Sequence, residues 1–488
     1  MSRQNSLKGL AASLVIGLFL VSSPALRGED FNFASRGTQS VKGMKIKVSS
    51  NGRYLVDQDR KPFLYLGDTA WTLFKRLTRE EVDEYLQNRA EKGFTVIQAY
   101  VLRGLEVKNV YGDLTVIDRD PTKFNEPFFQ NVDYIVNKAN DMGLVMGMVV
   151  SYGEHVRQRY ADRGEQVFNT SNAFTFGKLL ADRYKDNAVI WLLGGDRVGA
   201  DDEAVWTAMA QGLKEGCGGT QLVSYHGGGP SPGVTNYSSS FWFHKSDWLD
   251  FNMIQSGHRW GTLNYEFITH DYNLKPPKPT IDMEARYENH PDVGTTGKRM
   301  DAHQERQAAY WNMLAGAAGH GYGNNNIWQF WNPERMPALD DNSFPFTRLR
   351  GTTHWRKAID FEGAFDMGHL RKLLELRPWY QMVPDLSVIA MGQGSGEDHI
   401  QAARADDGSF FVAYLPFGNR VGIHMDKLTA SRLRAQWYDP REGTWIAIGH
   451  YRNQGIREFV PPSNGEQNDW VLVVEDAAKN YPTELPGE

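Results

Sequence analysis

The stretch Ala188-Val-Ile-Trp-Leu-Leu-Gly-Gly-Asp196 decides the fold. Six apolar residues in a row, three of them β-branched or aromatic, read as a strand buried on both faces, and such strands belong to parallel sheets covered by helices. The run then breaks at a glycine pair and ends on a carboxylate. Pro279-Thr-Ile-Asp-Met-Glu284 repeats that grammar ninety residues on. A carboxylate delivered at the end of an apolar strand is the signature of a (β/α)8 barrel, whose active sites sit at the C-terminal rim.

Working outward, strands and helices alternate. Pro62–Gly67, Phe94–Leu102, Leu144–Tyr152, Ala188–Leu193, Gln221–Tyr225, Phe251–Gln255, Pro279–Met283 and a part of Gly319–Trp328 are eight strand candidates. Between them, Thr78-Arg-Glu-Glu81 opens a helix with a capping box, and Glu126–Met142, Thr170–Lys185, Asp201–Glu215 and Asp301–Ala318 read as further helices. Eight such strands predict a closed α/β (TIM) barrel over residues 45–385. Trp355–Tyr380 reads as a helix stopped near Pro378. Beyond Asp385 helical periodicity stops, and short strands separated by Asp406-Asp-Gly408, Asp439-Pro-Arg-Glu-Gly443 and Asn464-Gly465 predict a small antiparallel β-sandwich over 386–476, followed by a tail, 477–488. The helix Gly363–Leu376 leading into this unit, and the short connection Arg377–Pro384 with Trp379, Tyr380 and two prolines, predict a module docked on the barrel.

Composition narrows the function. The chain has 488 residues, 41% hydrophobic and 23% charged, with a net charge of −6, which gives no polybasic footprint for nucleic acid. Residues 1–28 read as a cleaved secretory signal: Arg3 and Lys8 precede the apolar run Gly9–Val21, which is too short for a membrane span, and small residues follow at Ser22-Ser-Pro-Ala25. The protein is therefore expected outside the cytoplasm, periplasmic or secreted, with residues 29–44 as an N-terminal segment. The sole cysteine, Cys217, excludes an intrachain disulfide. Fourteen Trp, 21 Tyr and 25 Phe supply flat faces that both fill cores and stack on sugar rings.

The two strand-end carboxylates carry the chemistry. Asp196 follows two glycines that let the backbone turn sharply, and it reads as a general acid/base. Asp201 and Asp202 are better placed to cap the next helix. Glu284 reads as a nucleophile, with Asp282 one layer deeper in a supporting role and Arg286 as an opposite charge that holds Glu284 ionised. Other strand ends supply candidate substrate contacts: Asp68 and Trp71, Gln98 and Tyr100, Tyr152, His226, Gln255 and His258, and Trp328. No cofactor or metal is expected. His226 has no second ligand at a recognised spacing, and neither His-Glu-x-x-His nor Cys-x-x-Cys occurs.

Leu64-Tyr-Leu-Gly-Asp-Thr-Ala-Trp71, Trp191-Leu-Leu-Gly-Gly-Asp196 and Pro279-Thr-Ile-Asp-Met-Glu284 followed by Tyr287-Glu288 resemble the apiosidase-type glycoside hydrolases of family 140. The resemblance runs from about Lys45 to Glu475 and includes a C-terminal β module that carries a collagen-binding label. It implies a retaining hydrolase with Asp196 as acid/base and Glu284 as nucleophile, exo-acting on carbohydrate such as a pectic side chain. In related barrels Asn-Glu stands where this chain has Gly195-Asp196, and the shorter acid suits a smaller ring or a deeper substrate. A non-catalytic barrel that binds glycan or matrix protein is the alternative reading.

Overall fold

The structure is a computed structural model that describes residues 39–158, 165–200, 202–229, 238–294, 296–335 and 349–485. The expected signal segment lies outside these residues. The chain first forms a three-stranded antiparallel sheet, β1 (Lys47–Val48), β2 (Leu55–Val56) and β3 (Pro62–Phe63). Ile46, Leu55 and Phe63 join the apolar interior of the barrel from below, and Arg53 Nη1 donates to the Tyr272 carbonyl at 2.5 Å.

The barrel strands are β4 (Tyr65–Thr69), β5 (Val96–Leu102), β6 (Val145–Ser151), β7 (Val189–Leu193), β8 (Val223–Tyr225), β9 (Asn252–Ile254), β10 (Thr280–Asp282) and β11 (Gly319–Tyr322). All neighbours pair in parallel in the order β8-β7-β6-β5-β4-β11-β10-β9, so the first and last strands adjoin. Asp250 bridges the remaining seam: its N–H donates to the Val223 carbonyl at 2.9 Å and its carboxylate accepts the Val223 N–H at 2.6 Å. Alternation assigns each side chain its layer. On β7, Ile190 and Leu192 enter the barrel interior with Val96, Val149 and Met253, while Trp191 and Leu193 pack outward among the helices.

The helices are α1 (Leu73–Arg76), α2 (Arg79–Glu91), α3 (Glu126–Asp141), α4 (Thr170–Tyr184), α5 (Glu203–Gly216), α6 (Ser240–Phe243), α7 (Asn264–Tyr272), α8 (Ala302–Leu314), α9 (Trp355–Ala358) and α10 (Glu362–Glu375). The capping box at Thr78 and Glu81 is formed. The helix expected over Trp355–Tyr380 is instead broken: Phe361 is extended, and Asp360 turns out to bind Lys92 at 2.6 Å and Asn88 at 2.9 Å on α2. The last barrel strand also stops at Tyr322, well short of Trp328.

The C-terminal module holds β12 (Met382–Pro384), β13 (Ile389–Met391), β14 (Gln401–Ala405), β15 (Phe410–Leu415), β16 (Val421–His424), β17 (Arg432–Asp439), β18 (Thr444–Arg452), β19 (Ile456–Phe459) and β20 (Trp470–Asp476). They form a six-stranded sheet, β12-β14-β15-β20-β17-β18, and a three-stranded sheet, β13-β16-β19, both antiparallel. The module packs on α8. Arg306 forms a bidentate pair with Asp469, both contacts 2.9 Å, and reaches Asp366 at 2.8 Å, while Tyr310 stacks on Tyr414 with ring centres 4.8 Å apart.

Candidate active site

Three successive residues after β7 adopt left-handed backbone: Gly194 at φ 91°, Gly195 at φ 54° and Asp196 at φ 65°. The turn needs both glycines. A Cβ on Gly194 would stand 2.1 Å from the His226 carbonyl oxygen, and one on Gly195 would stand 2.3 Å from the Ser151 carbonyl oxygen. This corner lifts Asp196 over the C-terminal mouth of the barrel. Its side chain remains 36% exposed, against 8% for that of Glu284.

Glu284 lies two residues beyond β10, and the fold brings it against Asp196. One atom each from Asp196, His226 and Glu284 lie within 4.8 Å of one another. His226 Nε2 is 3.0 Å from Glu284 Oε2 and 3.6 Å from Asp196 Oδ1, so one imidazole edge faces both carboxyl groups. His258 Nε2 meets the other Glu284 oxygen at 3.1 Å. Gln255 Nε2 donates to Asp196 Oδ1 at 3.4 Å.

The electrostatics separate the two acids. Desolvation and the adjacent Glu284 charge push the Asp196 carboxyl up from its ordinary 3.8, against the pull of His226, Arg103 and His258. Burial alone would also raise Glu284, but the hydrogen bonds and charge of His226 and His258 outweigh it and hold that carboxyl well below the usual range. His226 follows the same logic in reverse: burial lowers its proton affinity, and Glu284 and Asp196 more than restore it. Two acids whose environments drive them apart are equipped for opposite tasks, one to give a proton and one to stay charged. The Asp196, His226 and Glu284 group also has the donor types to hold a divalent cation.

Aromatic rings wall the mouth. Trp71 stacks on His226 with centroids 5.5 Å apart and meets Tyr100 edge-on at 5.1 Å, and Tyr100 in turn meets Tyr152 at 6.1 Å. The Tyr100 hydroxyl and Gln255 Oε1 are buried without a hydrogen-bond partner among the described residues. Trp328 is 6% exposed and donates its Nε1–H to Asn325 at 3.1 Å. Thus Trp71, Tyr100, Tyr152, His226, Gln255 and His258 gather around the two carboxyl groups or the wall beside them.

Three expected residues take other positions. Asp68 is fully buried on the outer face of β4, where Arg89 pairs with it and the Tyr85 hydroxyl donates at 2.6 Å. It faces the helices because Tyr65 and Gly67 take the inward positions. Gln98 does point inward, but one layer below the mouth, accepting from the Tyr65 hydroxyl at 2.9 Å and donating to the Met283 carbonyl at 3.3 Å. Arg286 turns outward to α8 and binds Gln304 at 2.9 Å and Gln307 at 2.5 Å, so two histidines provide the opposing charge for Glu284. Asp282, buried below Glu284, accepts from the Ser256 hydroxyl at 2.7 Å and from Asn312 at 3.3 Å.

Sequence reasoning missed Arg103, whose guanidinium lies 3.9 Å over the Tyr152 ring and acts on Asp196. It also missed the buried Arg197–Glu154 ion pair directly after the glycine corner. Tyr287, marked in the sequence by its motif but given no role there, packs its ring 4.3 Å from His258. Arg103 and Arg197 stand just past strand ends, and a basic residue there is the only signal the chain offers.

Residues 49–381 match the family of apiosidase-like catalytic domains, and residues 383–475 match a family described as the putative collagen-binding domain of a collagenase. Among solved structures, the chain is 31% identical to a glycoside hydrolase family 5 protein from Bacteroides vulgatus, with a TM-score of 0.82 over 92% of this chain and 98% of that one. A second glycoside hydrolase is 30% identical, with a TM-score of 0.81 over 91% and 99%. Comparison with curated protein sequences yields no match. The non-catalytic alternative gives way to these likenesses: the chain belongs to the apiosidase-like family and is a glycosidase.

Proposed function

We propose that the protein is a retaining, exo-acting glycosidase that releases a terminal apiose-type sugar from a plant pectic side chain, outside the cytoplasm. The observation that carries the mechanism is the approach of Asp196, His226 and Glu284 atoms to within 4.8 Å. Retaining enzymes keep their carboxyl groups about 5–5.5 Å apart, whereas inverting enzymes need roughly 6.5–9.5 Å to admit a water.

In the first step the protonated Asp196 carboxyl gives its proton to the glycosidic oxygen as the C–O bond breaks. The Glu284 carboxylate attacks the anomeric carbon and forms a glycosyl ester. Esterification removes the Glu284 charge, and with it the repulsion that helps keep Asp196 protonated. Asp196 then serves as the base that takes a proton from water, the water attacks the anomeric carbon, and Glu284 departs as carboxylate. His226 and His258 hold Glu284 by one oxygen each before and after this cycle. The unpartnered Tyr100 hydroxyl and Gln255 Oε1 are the groups available to sugar hydroxyls.

The sugar assignment rests on the family likeness and on the short Asp196 acid, which favours a small ring. The extracytoplasmic assignment rests on the signal pattern of residues 1–28; among the described residues no helix is long and apolar enough to cross a membrane. The test is a panel of aryl glycosides, including an apiofuranoside, together with pectic oligosaccharides and product analysis. Free apiose from chain ends supports the proposal, and cleavage of a different sugar or of internal bonds overturns the substrate or the exo assignment.

A further inference from the structure

All thirteen residues of α8 are buried, although its sequence, Ala302-His-Gln-Glu-Arg-Gln-Ala-Ala-Tyr-Trp-Asn-Met-Leu314, is half polar. A helix with polar groups all round is stable in a protein interior only where those groups are paired. Here they pair on two sides. Toward the barrel, Gln304 and Gln307 accept from Arg286, whose other nitrogen donates to the Thr262 carbonyl at 2.6 Å. The Arg286 guanidinium also lies 5.4 Å over the Trp311 ring. Toward the C-terminal module, Gln307 Nε2 donates to the Glu397 carbonyl at 2.8 Å and Trp311 Nε1 donates to the His399 carbonyl at 2.9 Å. The same two side chains therefore touch the module and Arg286, and Arg286 lies two residues from Glu284.

We infer that the C-terminal module is part of the catalytic apparatus: through Gln307 and Trp311 it fixes Arg286 and thereby the segment that carries Glu284. Arg286, Gln307 and Trp311 are positioning residues in this account, since none of them touches the carboxyl pair. The inference rests on the proposal that Glu284 is the nucleophile. β10 ends at Asp282; Met283 N–H then donates to the Ile254 carbonyl at 3.0 Å and the Glu284 carbonyl accepts from Gly257 N–H at 3.0 Å. Farther on, Tyr287 N–H donates to His258 Nδ1 at 3.4 Å and Glu288 N–H to the Gly323 carbonyl at 2.9 Å, so the Arg286 side chain ties the segment down between these two sets of contacts. Arg286, wholly buried, has Glu305 on α8 and Glu397 and Tyr414 on the module as the ionisable groups around it, with Asp282 below. Around Glu284 stand Asp196, His226, His258, His290, Tyr100 and Tyr287. A shift of the segment opens one of the two histidine contacts, so it changes both the reach of the nucleophile and its ionisation.

Two full-length variants separate the links. Gln307→Met keeps the length of the side chain and loses both contacts; Trp311→Phe keeps an aromatic face under Arg286 and loses only the donation to the module. Each is assayed on the aryl glycoside that the wild type hydrolyses, with the active fraction counted by a fluorinated glycoside that traps the glycosyl-enzyme. The inference predicts that kcat per active site falls about 10- to 100-fold for Gln307→Met, the scale expected for a displacement of about 1 Å. KM stays within about twofold, and the acidic limb of kcat/KM moves to higher pH, a limb that reports the ionisation of the free enzyme. Trp311→Phe should change both in the same direction by a smaller factor. Unchanged kcat per labelled site with an unmoved acidic limb in both variants, whatever happens to their melting temperatures, overturns the inference and leaves the nucleophile assignment standing. Trapping on a residue other than Glu284 in the wild type overturns the assignment itself.

Discussion

Gly194→Ala is the substitution that most sharply probes the corner on which Asp196 is mounted. Gly194 has φ 91°, beyond the left-handed region that an alanine enters at a cost of about 1–2 kcal/mol. The added Cβ would also stand 2.1 Å from the His226 carbonyl and 2.9 Å from the Tyr225 ring, both set in buried structure. Relieving such overpacking by backbone movement costs about 1–3 kcal/mol. Together these place the loss of stability at about 2–5 kcal/mol. The movement pushes apart the two strand ends that carry Asp196 and His226, so the acid leaves its place by a sizeable fraction of an ångström. A misplacement near 1 Å costs about 10²-fold in rate. The loss should fall mainly on substrates with poor leaving groups, which depend on the proton from Asp196, and much less on nitrophenyl glycosides. Melting curves and kcat/KM on a leaving-group series test this. A variant with wild-type melting, or one that loses the same factor on every leaving group, would refute the reasoning.

Asp196→Ala should slow poor leaving groups by at least a hundredfold more than activated ones, and added azide should restore the activated substrate with a glycosyl azide as product; no azide adduct would count against an acid/base role. The pH profile of kcat/KM should be bell-shaped, with an acidic limb below the ordinary Glu284 value of 4.5 and an alkaline limb above the ordinary Asp196 value of 3.8. The signs carry over to stability: the depressed Glu284 stabilises the fold above its unfolded value and loses that contribution as pH falls through its folded one, whereas the raised Asp196 stabilises only its protonated form and loses that as pH rises through its folded value. Asp68→Asn should cost about 3–5 kcal/mol of stability by leaving the buried Arg89 without its charge partner, yet leave KM on small aryl glycosides within twofold, and a large KM change would mean that Asp68 reaches the substrate. Exhaustive chelation should leave kcat unchanged if Asp196, His226 and Glu284 act as acids and imidazole, and loss of activity restored by one divalent metal would identify a cation site instead.

The barrel was legible because β7 and its neighbours are apolar runs with no alternative partner, and because Gly194-Gly195-Asp196 has no reason to follow a strand except to turn it. The layer of each polar residue was harder to see. Asp68 and Gln98 both follow apolar residues, and only the inward positions of Tyr65 and Val96 show that one faces the helices and the other the middle of the barrel. Arg286 deceives for a different reason. Alternation from Glu284 presumes a strand, but β10 ends at Asp282, and past its end the chain turns the arginine toward α8. The break at Phe361 coincides with a contact between Asp360 and Lys92, more than 260 residues away, which no local pattern announces. The pairing of His226 and His258 with opposite oxygens of Glu284 is likewise a tertiary fact: each histidine follows a different strand, and their meeting requires the barrel to close.

The central claim is a covalent double displacement between Asp196 and Glu284. Incubation of the full-length protein with a 2-deoxy-2-fluoro apiofuranoside bearing an activated leaving group, followed by peptide mass mapping, tests it most directly. The account predicts a stoichiometric glycosyl adduct on Glu284 that forms more slowly on Asp196→Ala only when the leaving group is poor. An adduct on any other residue, or full turnover without an adduct and with the product formed in the inverted configuration, would contradict it.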